Sequence, residues 1–264
     1  MFEGVLVKMK TELTNPIQYY LDLESDLILM NQLLGKSLII KKIGSQCLNC
    51  RQDVVLFRQG FCKKCFFEIP SAGDWIMKPE LSRAHLDIED RDLAYEKKIQ
   101  LQPHIVYLAV SGGLKVGVTR SSQIPTRWID QGADMAIPIV ETPNRYLAGI
   151  TEVALKEHYN DKTNWRLMLQ NGDSTFDLRA EKEQCLEWIP KDAKPYILHD
   201  VDKPTLLNFP ILKYPAKVSS LNLDDVISYQ GVLTGIKGQY LIFEDQTVFN
   251  VRSNEGLMVN IQIV

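Results

Sequence analysis

Five cysteines stand in the 264-residue chain, and four of them are spaced for metal chemistry. Cys47-Leu48-Asn49-Cys50 and Cys62-Lys63-Lys64-Cys65 form two C-x2-C knuckles with eleven residues between them. Each knuckle aims two thiolates at one point while its backbone N–H groups donate to sulfur. Two knuckles complete the closed tetrahedral shell of a structural zinc site. The gap is shorter than the usual ribbon spacing, so a short hairpin is expected to cross it, out along Asp53 to Phe57 and back through Gly60-Phe61. Cys185 stands alone in a helical stretch and reads as a small buried hydrophobe.

Around the knuckles lie Lys41, Lys42, Arg51, Arg58, Lys63 and Lys64, six cations against the single acid Asp53. Phe57, Phe61, Phe66 and Phe67 are interleaved with them. This composition suits a contact that tracks a nucleic-acid backbone and stacks unpaired bases; the alternative is that the phenylalanines pack the knuckle onto its neighbour. Any such contact has to be local, because the whole chain carries 30 basic and 33 acidic side chains and a net charge of −3. A duplex-wrapping protein usually shows a basic excess. From Asp87 to Glu96 the balance even reverses, with five acids against Arg91.

A second constellation centres on Glu152. Asn144 is expected to cap a helix running to Tyr159, on which Glu152 shares a face with Ala148, Leu155 and Tyr159. A carboxylate flanked by apolar neighbours in this way needs a metal ion or a cation as partner.

The elements that must position these groups are those of an ordinary globular chain, with 45% hydrophobic and 24% charged residues. No apolar run is long enough to span a membrane and the N-terminus lacks a signal-peptide core. The expected location is the cytoplasm, where clustered thiols bind metal more often than they pair. Strands are expected over Met1 to Lys10 and Lys36 to Ile43. Tyr20 to Met30 is apolar but aperiodic, and Glu68 to Pro79 is punctuated by proline and glycine. A β-β-α-β-α pattern follows: strands at Ile105 to Val110, Leu114 to Thr119 and Ala136 to Glu141, a helix at Thr126 to Gln131 opened by Pro125 and closed by Gly132, and the Asn144-capped helix. Trp165 to Trp188 reads as helical. Four further strands are expected at Val226 to Ile236, Gln239 to Phe243, Val248 to Val251 and Leu257 to Val264. Gly4-Val5-Leu6 echoes Gly231-Val232-Leu233, and Gly35 to Ile40 echoes Gly238 to Phe243.

The stretch from Ile105 to Trp165 resembles the catalytic core of the GIY-YIG nuclease superfamily, in the branch whose second motif reads Lys-Ile-Gly. Ile105-Val106-Tyr107 stands at the first motif and Lys115-Val116-Gly117 at the second, with Ile105 in place of the opening glycine and Lys115 in place of the second tyrosine. Arg127, Glu152 and Asn164 follow in the order of that core. The whole chain also resembles a bacterial family of undefined activity in which zinc knuckles precede such a core. The resemblance implies hydrolysis of phosphodiesters with one divalent ion, Mg2+ or Mn2+, on Glu152. It further implies that Arg127 neutralises the phosphate, that Tyr107 acts on the attacking water alone or with Lys115, and that Asn164 orients the phosphate or a water.

The expected fold is α+β: a four-cysteine zinc ribbon, a central GIY-YIG-like module, and β-rich ends that contribute to one barrel or sandwich. Boundaries are expected at 1–43, 44–79, 80–190 and 191–264. Two functions remain open on the sequence, a metal-dependent phosphodiesterase acting on nucleic acid and a catalytically inactive nucleic-acid-binding or adaptor protein on the same scaffold. DNA and RNA are not distinguished as partners, no membrane partner is expected, and the oligomeric state is not read.

Overall fold

The run His104-Ile-Val-Tyr-Leu-Ala-Val110 is buried at every position. A strand so apolar on both faces must be covered on both, and the computed structural model of the chain, which describes residues 1–171 and 175–264, places it in the middle of a sheet.

In chain order the first strands are β1 (Phe2–Val5), β2 (Lys10–Glu12), β3 (Gln18–Asp22), β4 (Leu27–Leu29) and β5 (Ser37–Ser45), followed by the short helix α1 (Lys63–Glu68). Next come α2 (Leu93–Gln100), β6 (His104–Val110), β7 (Leu114–Arg120), α3 (Thr126–Asp130), β8 (Met135–Thr142) and α4 (Arg145–Leu155). Helices α5 (Trp165–Leu169) and α6 (Leu178–Cys185) lead to β9 (Thr205–Leu206). The last strands are β10 (Ser219–Ser220), β11 (Ser228–Lys237), β12 (Tyr240–Phe243), β13 (Thr247–Asn250) and β14 (Leu257–Ile263).

The chain forms two compact units. The first comprises Met1–Phe67, Leu169–Asn171 and Leu207–Val264; the second comprises Glu68–Met168 and the later described residues up to Leu206.

In the first unit the two ends of the chain share one seven-stranded sheet, ordered β1-β14-β5-β11-β12-β13-β10. Strand β14 pairs antiparallel with both β1 and β5, and β5 pairs on its other side with β11. The two ends thus meet in one sheet, as expected; of the barrel or sandwich expected from the sequence, the closed barrel is not formed, since the sheet is open with β1 and β10 at its edges. The aperiodic stretch Tyr20 to Met30 contributes to a small separate sheet, β2-β3-β4.

The second unit carries the sheet β7-β6-β8-β9, antiparallel throughout. Alternation along β6 sends Val106, Leu108 and Val110 into a core completed by Val116, Ile137, Ile139, Ala148, Leu155, Leu178 and Cys185. Tyr107 and Ala109 point to the opposite face. Cys185 is fully buried and burial pushes its thiol up to about 12, as befits a hydrophobe rather than a ligand.

Helix α4 starts where expected, Asn144 Oδ1 accepting from Leu147 N at 2.9 Å, but ends at Leu155 instead of Tyr159. Pro125 is the residue preceding α3 rather than its first. The continuous helix expected over Trp165 to Trp188 is replaced by α5 and α6, because α6 has its own cap: Asp177 Oδ1 accepts from Arg179 N and Ala180 N. Residues 172–174 of that expected helix lie outside the described residues. Among the described residues no helix is long and apolar enough to cross a membrane.

Candidate functional site

The first candidate is a metal centre. Cys47, Cys50, Cys62 and Cys65 bring their sulfurs within 4.8 Å of one another, and none is disulfide-bonded. A tetrahedron of sulfurs about 2.3 Å from a zinc ion has edges of about 3.8 Å, so the cluster needs only a small contraction to close on an ion. The local backbone is shaped for it. Cys47 N bonds Gln52 O at 3.0 Å, Leu48 N bonds Gly60 O at 2.9 Å, and Phe66 N bonds Cys62 O at 2.9 Å.

Two donors reach sulfur directly, Cys62 N to Cys47 Sγ and Asn49 Nδ2 to Cys65 Sγ, each at 3.3 Å. Burial alone would push the Cys47 thiol up, but N–H groups of Cys62, Cys50 and Asn49 outweigh it and bring it down to about 6. Cys65 goes the other way: Asn49 lowers it, but burial and hydrogen bonds with the other three sulfurs push it up to about 11, so the four thiols share protons and the geometry, rather than any one acidity, marks the metal site. The fifth cysteine takes no part.

The cations around this centre are not equivalent. Lys41, Arg51, Arg58, Lys63 and Lys64 are exposed, whereas Lys42 is half-buried and ion-paired with Asp224. Arg51 pairs with Glu24 at 2.6 Å, both well exposed, and Arg58 lies over the Phe57 ring at 5.3 Å. Phe57, Phe66 and Phe67 pack against one another with centroids 5.4 to 5.7 Å apart. Phe57 and Phe67 nonetheless stay 41% and 57% exposed, so this cluster is a surface feature.

The second candidate lies in the other unit. Tyr107 is wholly buried; its hydroxyl donates to Gln131 Oε1 at 2.7 Å and lies within the field of the Arg127 cation. Burial pushes this hydroxyl up to about 12 even though the Arg127 cation opposes it. Lys115, on the same sheet face, is 3% exposed and donates to Thr163 Oγ1 at 3.2 Å. Burial, and next the Arg127 cation, bring the Lys115 ammonium down to about 8, against the pull of Glu152 and Asp161. Tyr107 and Lys115 therefore both feel Arg127 on one side and Glu152 on the other.

Glu152 is 8% exposed, and burial raises its carboxyl above the usual range. Its ion partner is Lys156, at 3.3 Å, and not Arg127 or Lys115. Lys156 also reaches Asp161 at 3.5 Å, so one ammonium bridges two carboxylates.

Asn164 sits at the head of α5, where Oδ1 accepts from Leu167 N at 3.3 Å and its carbonyl accepts from Met168 N. The segment leading to it is tied to β7 by Val116 N to Asn160 O at 2.8 Å, beside Lys115.

Lys156, Asp161, Gln131 and Arg145 escaped the sequence reading. Arg145, Gly149, Glu152 and Lys156 form one stripe at helical spacing along α4. That period was the available signal for Arg145 and Lys156. Arg145 donates to Trp75 O at 3.1 Å and Ile76 O at 2.8 Å, and burial lowers it to about 10.

These features define an α+β protein with a four-cysteine cluster spaced to hold a metal ion and a buried, charged cluster on an antiparallel sheet. The chain belongs to the family described as "Protein of unknown function (DUF2797)", whose model matches residues 35–259. No curated protein and no solved structure matches it significantly.

Proposed function

We propose that this chain is a zinc-containing protein that acts on nucleic acid, and that its second unit hydrolyses phosphodiesters in the manner of the GIY-YIG nucleases it resembles. The observation that carries the reading is that Tyr107 and Lys115, buried on one sheet face, both feel the Arg127 cation and the buried Glu152 carboxylate.

Arg127 is the phosphate ligand, since a planar fork of donors matches phosphate oxygens. Tyr107 backs that cation, donating its own hydroxyl hydrogen bond to Gln131. With its hydroxyl pushed up to about 12, Tyr107 is a poor base at neutral pH. Lys115 is the better one, because at about 8 a useful fraction of it is neutral and able to take a proton from water. Asn164 spends its oxygen on α5 and leaves its amide nitrogen for a phosphate oxygen.

Glu152 and Asp161 fit a divalent cation, because the Lys156 ammonium that bridges them already occupies the place a cation would take. Mg2+ or Mn2+ held there would supply charge neutralisation at the phosphate, using one or two carboxylates as is usual. In the first unit, zinc on the four cysteines orders the knuckle that displays Lys41, Arg51, Arg58, Lys63 and Lys64 beside the exposed Phe57 and Phe67. Lys42 adds less, being paired with Asp224. Such a surface grips single strands by charge and stacking.

A second reading, a binding protein without catalysis, is favoured by the same Lys156–Glu152 pair, which neutralises the carboxylate internally. Incubating the purified chain with labelled single- and double-stranded DNA and RNA, with Mg2+, with Mn2+ and with chelator, separates them: metal-dependent cleavage supports the first, and binding without cleavage supports the second.

A further inference from the structure

The second unit contains a cavity of about 680 Å3 that the reading above does not use. One part of its lining, Glu80 of the Pro79-Glu80 turn, packs against Gly149. A Cβ there would lie 2.3 Å from Glu80 N and 2.5 Å from Pro79 C, so only glycine lets the Pro79-Glu80 turn rest on α4. That turn places Glu80 and Ser82 on one wall, with Trp75 beside them and Tyr146, from α4, at the rim.

Three polar atoms of this wall are buried and have no partner: Trp75 Nε1, Glu80 Oε2 and Ser82 Oγ. Trp75 is 2% and Ser82 0% exposed. Buried polar groups are nearly always hydrogen-bonded, and three orphans lining one cavity call for a ligand. Their chemistry specifies it. The indole can only donate, the carboxylate oxygen accepts, and the hydroxyl does either. The ligand must therefore present donors and acceptors together.

Charge does not decide the class: Glu96 is consumed by the backbone N–H groups of Asp90, Arg91 and Asp92 at 3.0, 2.7 and 3.0 Å, Asp90 lies 3.9 Å from the Arg91 guanidinium, Glu80 feels the Arg145 and Lys156 cations, and Arg83 is also on the lining. Shape points to a flat group: His85 and Tyr146 are stacked at 4.5 Å, 26° from parallel, and Tyr146 remains 37% exposed. A ring extending that stack while its edge meets buried donors and acceptors has the pattern of a nucleobase. We propose that this cavity binds a nucleobase ring, as a free nucleoside or as an unstacked base of a strand. The proposal stands whether or not the chain cleaves phosphodiesters.

The test titrates the full-length protein with adenosine, guanosine, cytidine and uridine, and separately with short single-stranded homo-oligonucleotides, following heat of binding and melting temperature. At least one base should bind saturably and raise the melting temperature. Ser82→Ala and Glu80→Gln should each weaken that binding about tenfold or more, the loss of one buried hydrogen bond. Ser82→Ala should itself melt no lower than the parent, because the hydroxyl it removes has no protein partner. If Glu80→Gln fails to fold, Tyr146→Ala, which removes the stacking ring at the rim, takes its place. Binding of oligonucleotides alone, weakened by the same substitutions, assigns the base to a strand. Absence of any binding, or binding that none of these substitutions alters, overturns the proposal.

Discussion

Tyr107 and Gly117 face each other across β6 and β7, and a Cβ at position 117 would fall 2.7 Å from the Tyr107 hydroxyl oxygen. The glycine of the Lys115-Val116-Gly117 triplet is thus the space that the tyrosine ring occupies, which joins the two sequence motifs into one object. The ring in turn sets the hydroxyl between Gln131 and Arg127. Gly117→Ala is expected to push the ring aside and cost about 1–3 kcal/mol, the usual penalty for overpacking a close-packed site. Chemical denaturation reads the loss; a variant as stable as the parent would show that the ring has room to spare.

Lys115 provides a pH signature. Its value near 8 lies below the ordinary 10.5 of lysine because burial and the Arg127 cation disfavour the charged form. Between those two values the unfolded chain holds more protons than the folded one, so stability should rise with pH through this window. Below about 8 both states are protonated and the penalty is constant. Lys115→Met should remove both the penalty and the rise. Melting curves recorded from neutral to alkaline pH check this, and an unaltered pH dependence in the variant would refute it.

The four cysteines should hold about one zinc per chain, with sulfur at about 2.3 Å. Cys62→Ser removes one ligand while keeping the backbone N–H that donates to Cys47 Sγ, and is expected to release the metal while the second unit keeps its cooperative melt. Elemental analysis and X-ray absorption test the first part. Metal-free protein with an ordered knuckle would count against it.

Binding to nucleic acid should be weak and salt-sensitive, since each neutralised phosphate releases counterions. Lys63 and Lys64 are exposed on α1, so replacing both by glutamate should weaken binding to every sequence alike and flatten its salt dependence. A loss confined to one sequence would point to base readout instead.

Much of this was legible in the sequence, for identifiable reasons. The knuckles announce themselves because metal chemistry fixes both residue type and spacing. β6 is visible as an unbroken apolar run because both of its faces are covered, Val106, Leu108 and Val110 in the core and Tyr107 and Ala109 on the other side. Glu152 stood out through helical periodicity, but its partner Lys156 did not, because a lysine one turn along a helix looks like solvated surface until burial is known. Of the turns between Pro70 and Leu86 only the proline and glycine punctuation up to Pro79 was legible, as short 3-10 segments carry no period, and the orphaned Trp75, Glu80 and Ser82 were unreadable for that reason. That the two ends share a sheet was legible from their echoing segments, but whether it closes was not, because strand signals do not reveal closure.

The central claim rests on Glu152, and one comparison tests it most directly: cleavage of labelled nucleic acid by the parent and by Glu152→Gln, with Mn2+ present, alongside their melting temperatures. The substitution keeps shape and helix. Because its abandoned partner Lys156 is 28% exposed, the ammonium can turn to water or to Asp161, and the cost to stability should be small, within about 1 kcal/mol. The account predicts metal-dependent cleavage by the parent, none by the variant, and nearly equal melting. Cleavage that survives in Glu152→Gln, or a parent that binds nucleic acid but never cuts it with either metal, would contradict it.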